Sequence, residues 1–165
     1  MFEEALDGIE QRGAPPPDAV VVALGTGALA AAAAEQLRVE RFPRDLWLLG
    51  VEPAAAPCFV DSVAAGARVA LPHPAPSIMD TIARGLPSPA AFEAVTAGFD
   101  AYLAVDDDTA AAAVARLGAA GVSVSASGAA AFAGLIEACR LGELDDMIPL
   151  GPDRSVLVVV TEAPR

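Results

Sequence analysis

Residues Ala19 to Leu24 form an uninterrupted apolar run, Gly25-Thr26-Gly27 follows directly, and an alanine-rich stretch continues from Ala28 to Arg38. A continuous apolar run of this length predicts a strand buried on both faces, because a strand with one wet face alternates. Two glycines make a tight turn, and alanine is the strongest helix former. Strand, turn and helix in this order commit the segment to a sheet with a helix packed back on it.

The pattern recurs along the chain. Phe2, Leu6 and Ile9 fall at helical spacing, so residues 2–12 predict a short helix ending near Gly13, and the prolines of Ala14–Asp18 make a stiff connector. A second strand is expected over Asp45–Pro53. The alanine-rich stretch Cys58–Ala65, the segment Ile78–Gly85 and Ser88–Gly98 read as helices, and Ala101–Val105 as a strand. A helix then opens on Asp106-Asp107-Asp108, where the helix dipole favours acidic residues. The sequence GVSVS (Gly121–Ser125) reads as a short strand, and Ser127 opens a helix that closes near Gly142. After a loop over 142–154, SVLVVVTEAP reads as a last, fully buried strand. Strands alternating with helices indicate an α/β fold: a three-layer sandwich around a mostly parallel sheet, as one domain over residues 1–165.

Composition narrows the function classes. The formal charge is −12, from 22 acidic and 10 basic residues. Such a surface repels nucleic acid and anionic lipid, so neither is an expected partner. Every basic residue is arginine; the chain has no lysine. Cys58 and Cys139 stand far apart, outside any metal-ligand spacing, and read as reduced thiols. The start MFEEALDGIEQRG lacks a basic n-region and an apolar core, and no apolar run is long enough to span a bilayer. A cytoplasmic protein is the expectation.

The first candidate site is Gly25-Thr26-Gly27. A turn between a strand's carboxyl end and a helix N-terminus presents free N–H groups, and the glycines let an anion approach closely. The same residues, GTGALA, also fit G-x-G-x-x-A, with Glu52 ending the next strand about where an acidic residue takes a ribose hydroxyl. A nicotinamide or flavin nucleotide is therefore a second reading of the turn. SASGAAAFAGL (Ser125–Leu135) is another strand-to-helix junction built from small residues, which suits close packing or a ligand wall. Thr161 follows the last apolar run and so falls at a strand's carboxyl end, with Glu162 beside it, solvated. His73 lies in the proline-locked LPHPAP and reads as exposed and idle. Asp106–Asp108 read as a helix start with a solvated acidic face.

Five segments in order resemble the C-terminal, large-domain portion of fold-type II pyridoxal-phosphate enzymes, and within them the diaminopropionate ammonia-lyases. They are ALGTGALAAAAAEQL, GVEPAAAPC, SIMDTIARGLPSP, SASGAAAFAGL and VLVVVTEAP. The resemblance implies that Gly25, Thr26, Gly27 and Ala28 hold the phosphate of pyridoxal phosphate through backbone N–H groups. It places Thr161 near the pyridine nitrogen, and Ser127 and Gly128 beside the ring. The chain departs from that pattern at Ala126, where the family has glutamate, and at Ala163, where it has glycine. The family bonds the cofactor aldehyde to a lysine in its N-terminal half, and this chain has no lysine. The resemblance thus implies the C-terminal part of a larger or split ammonia-lyase, inactive alone, whose partner is a lysine-bearing half or a second copy. Two other readings stand beside it: a non-catalytic module binding an anionic metabolite or a partner, and a Rossmann-like NAD(P)-binding domain.

Overall fold

The computed structural model describes residues 1–41, 46–141 and 153–164. Helix α1 (Phe2–Gln11) leads into strand β1 (Ala19–Ala23) and helix α2 (Ala28–Ala33), which runs on as wider π-type turns over Ala34–Arg41. Strand β2 (Trp47–Pro53), helix α3 (Cys58–Ala65), helix α4 (Pro89–Gly98) and strand β3 (Ala101–Val105) follow. Helices α5 (Asp107–Ala119) and α6 (Ala126–Leu141) precede strand β4 (Val156–Val158).

The four strands lie in the order β3-β2-β1-β4, and every pair is parallel. Val21 is in register with Leu49 of β2 and with Val158 of β4. Successive side chains of a strand point to opposite faces, and here both faces are covered. Val21, Leu49 and Val51 join the core beneath α5 and α6. Val20, Val22 and Leu48 join the core beneath α1, α2 and α4. The result is the three-layer α/β sandwich expected from the alternating pattern, with the sheet parallel throughout. The α6 layer sits close because its inner face is Ala129, Ala130, Ala131, Ala133 and Gly134, all buried.

Three expected elements differ. Residues Ile78–Gly85 do not form a helix; they make a single turn in which the Ile82 and Ala83 N–H groups both donate to the Met79 carbonyl, at 3.1 and 2.9 Å. Met79 is fully buried, and the neighbouring backbone groups bond to side chains of other elements rather than to a growing helix. Gly121–Ser125 is no strand. It is the short link from α5 to α6, and its Ser125 N–H donates to the Glu162 carbonyl at 2.9 Å, outside the ladder. The last strand is not fully buried: Val156–Val158 are half-buried, because among the described residues β4 has a strand neighbour only on its β1 side. Asp45 and the greater part of the 142–154 loop lie outside the described residues, as does Gly142.

The remaining local readings are settled by burial. His73 is exposed. Both cysteines are free thiols, Cys58 buried and Cys139 exposed. Among the described residues, no helix is long and apolar enough to cross a membrane.

Candidate cofactor site at the carboxyl edge of the sheet

An all-parallel sheet puts the carboxyl ends of its strands on one edge, and there the candidate residues gather. β1 continues into Leu24, whose N–H donates to the Val51 carbonyl at 2.6 Å. The turn begins at Gly25. Thr26 and Ala28 are exposed and Gly27 is buried. Gly27 has φ +95°, and a Cβ there would lie 2.5 Å from Cζ of Phe59, so both conformation and space require glycine. The Thr26 carbonyl accepts from the Ser88 N–H at 2.9 Å, tying the turn to the start of α4. The N–H groups of the first helical turn have no intrahelical acceptor, and those of α2 open at this edge. A glycine turn with exposed flanks at the start of a helix suits a phosphate. The cradle therefore fits the phosphate end of pyridoxal phosphate. Its aldehyde end has no lysine in this chain to bond to.

Glu52, in β2, is 1% exposed. Its Oε2 accepts from the Phe59 N–H at 3.0 Å and its Oε1 from the Val60 N–H at 2.7 Å. The carboxylate thus satisfies the start of α3, where the helix dipole also favours a negative charge. Burial pushes its pKa up to about 7 against the opposing pull of these two hydrogen bonds. This corrects the nucleotide reading of GTGALA: Glu52 is enclosed and committed to α3, not presented to a ribose. Cys58 beside it is held as a thiol, its pKa raised by burial to about 12.

The second cluster centres on Thr81. Its N–H donates to Ser127 Oγ at 3.2 Å and its hydroxyl donates to Glu162 Oε2 at 2.6 Å. Ser127 is 3% exposed. Ser125 Oγ accepts from the Gly128 N–H at 3.0 Å and so caps α6. A Cβ on Gly128 would lie 2.5 Å from the Glu162 carbonyl oxygen, so glycine lets the segment after β4 rest directly on the helix. Thr161, next to Glu162, is exposed. Glu162 is half-buried and bonded, rather than the solvated carboxylate its sequence position suggests, because the 77–82 loop folds over it.

Gly25–Ala28 follow β1 and Thr161 follows β4, and β1 and β4 are neighbours. Ser127 and Gly128 meet the same region through Thr81 and Glu162. The 77–82 loop bridges the two clusters, since Ile82 Cα would lie 3.3 Å from a Cβ on Gly25. Sequence reasoning missed Thr81 because it assigned that segment to a helix. Ser125 had a readable signal, its spacing of three from Gly128, which is that of an N-cap. Asp106 caps α5 as expected, accepting from the Thr109 N–H at 2.7 Å, and that bond holds its carboxyl below the usual range. Asp107 departs from the solvated-face reading: it accepts from Ser77 Oγ at 2.6 Å and from the Ile78 N–H at 3.1 Å, anchoring the same loop.

The comparisons with known proteins bear on the family and the fold. No curated protein sequence matches the chain. Among solved structures, diaminopropionate ammonia lyase from Escherichia coli, in complex with an aminoacrylate-PLP azomethine reaction intermediate, superposes with a TM-score of 0.86 at 26% identity. That match covers 98% of this chain and 43% of the other. The processed form of threonine deaminase isoform 2 from Solanum lycopersicum gives 0.82 at 24% identity, over 94% of this chain and 43% of the other. Maize serine racemase gives 0.80 at 23%, over 97% and 46%. The chain thus spans about half the length of the proteins it matches. The family described as pyridoxal-phosphate dependent enzyme matches residues 1–162, and this chain belongs to that family.

Proposed function

We propose that this chain is the phosphate-binding part of an ammonia-lyase resembling diaminopropionate ammonia-lyase, completed by a lysine-bearing half. The observation that carries the reading is the placement of Gly25–Ala28 and Thr161 after two adjacent parallel strands, in a chain without lysine. In this reading the backbone N–H groups of Gly25, Thr26, Gly27 and Ala28 donate to the phosphate oxygens. The Thr161 hydroxyl would serve the pyridine nitrogen, and Ser127 and Gly128 would line the ring. Pyridoxal phosphate, when bound, supplies the electron sink that makes a substrate Cα proton removable. The proposed reaction removes that proton, expels the β-amino group as ammonia and, after hydrolysis, leaves an α-keto acid and a second ammonia. The base and the lysine belong to the completing half, so the chain alone binds the cofactor without turning over substrate.

The test is a titration of the purified chain with pyridoxal phosphate by calorimetry, with keto acid production from 2,3-diaminopropionate followed in parallel. The expected result is saturable binding and no turnover, with turnover appearing when a lysine-bearing half is added. A folded chain that binds no pyridoxal phosphate rejects the cofactor site and leaves a partner-binding module. Turnover by the chain alone rejects the split site.

A further inference from the structure

The start of α3 touches both glycines of the turn after β1. Cys58 Sγ reaches the Gly25 carbonyl at 3.9 Å. The Phe59 ring occupies the space that a Gly27 Cβ would need. These two residues open α3, and what holds them is Glu52: its two carboxylate oxygens accept from the N–H groups of Phe59 and Val60. One enclosed carboxylate in β2 therefore fixes the residues that border the turn leaving β1.

From this chain of contacts we infer that Glu52 is a positioning residue for the phosphate turn, setting the placement of Gly25–Ala28 through the first turn of α3 without touching a ligand. The inference rests on the phosphate reading of that turn. A residue that merely capped α3 would stabilise the helix and leave the turn indifferent to its charge. A positioning residue passes its state on.

The groups that face Glu52 are the Cys58 thiol and the Asp61 carboxylate, whose charge opposes its own. Its titration falls near neutral pH. When Glu52 takes a proton, one oxygen becomes a donor facing an N–H donor, and the start of α3 loses an acceptor. The contacts of Cys58 and Phe59 on the two glycines then relax. The turn is best formed with Glu52 ionised, so its affinity for phosphate falls as pH drops through that range.

The experiment follows backbone amide signals of the whole chain by NMR from about pH 6 to about pH 8. The expected result is a titration at Phe59 and Val60 with a matching midpoint at Gly25, Thr26, Gly27 and Ala28, both absent in Glu52→Gln. Pyridoxal phosphate affinity is measured across the same range. It is expected to weaken about tenfold more in the wild type than in Glu52→Gln between the high and low ends, the size of one charge-assisted hydrogen bond. Comparison with the variant removes the contribution of the ligand's own phosphate, which titrates near pH ~6. Titration at Phe59 and Val60 with no response in the turn overturns the inference, as does a turn response that survives in Glu52→Gln. If Glu52→Gln does not fold, the wild-type midpoints decide alone: shared midpoints support the inference and separate ones reject it. Shared midpoints in a chain that binds no pyridoxal phosphate support the positioning of the turn and reject its assignment to the cofactor.

Discussion

Asp18 accepts a hydrogen bond from the Ser155 N–H at 2.8 Å, joining the entrance of β1 to the entrance of β4 across 137 residues of chain. Arg154 adds an ion pair to the same carboxylate at 2.9 Å. The contact stands one residue before the β1–β4 ladder, which begins with Ala19 opposite Val156, and so pins its register. Asp18→Asn is expected to lower the melting temperature at neutral pH. The two hydrogen bonds hold the Asp18 carboxyl below its usual range. A depressed carboxyl pKa contributes stability above the unfolded value and loses it as pH falls through the folded one. Thermal melts should therefore separate wild type from variant at pH ~7 and bring them together in acid.

Glu52 has the opposite sign. Its pKa in the fold, about 7, lies above the ordinary 4.5, so the folded state binds the proton more tightly than the unfolded state. Stability should fall as pH rises between those values, by ~3 kcal/mol over the whole window. Chemical denaturation at several pH values checks this, and in Glu52→Gln the slope across the window should disappear.

Gly27→Ala combines a left-handed backbone with a Cβ placed 2.5 Å from the Phe59 ring. The conformational strain alone costs ~1–3 kcal/mol, and the clash adds to it. Denaturation should register the loss, and pyridoxal phosphate binding should weaken beyond detection even in the fraction that stays folded.

Thr81→Val keeps the N–H that serves Ser127 and removes the hydroxyl that serves Glu162. Leaving a half-buried carboxylate short of a donor costs ~1–2 kcal/mol. The same loss is expected in a Thr81→Val, Glu162→Gln double variant only in part, and a double-mutant cycle on the four proteins measures the coupling.

The sheet was legible because its strands are continuous apolar runs broken by glycine and proline. AVVVA and AYLAV read directly as β1 and β3, and the alanine-rich helices between them followed. The glycine turn was legible for the same reason, since Gly27 stands where only glycine fits. The segment around Thr81 was not. Ile78, Met79 and Ile82 carry helical spacing, yet Met79 goes into the core while the backbone of Ile78 and Thr81 bonds to Asp107 and Ser127. Those partners lie 29 and 46 residues away, beyond any local pattern. Glu52 failed for a related reason. A carboxylate at a strand end looks the same in sequence whether it faces a ribose or a helix, and only the fold of Cys58–Ala65 decides.

The knot of Thr81, Ser127 and Glu162 also dates the parts of the site. The glycine turn, Glu52 and the first turn of α3 lie within residues 25–60, and Ser88, which donates to the Thr26 carbonyl, ties the turn down. Thr81 then waits for Ser127, and both wait for Glu162. The glycine turn is thus complete early in the life of each molecule and the Thr81, Ser127 and Glu162 cluster late. Ser88 and Glu162 stand 74 residues apart, so a nascent chain carries the first for about seventy residues of synthesis before it carries the second.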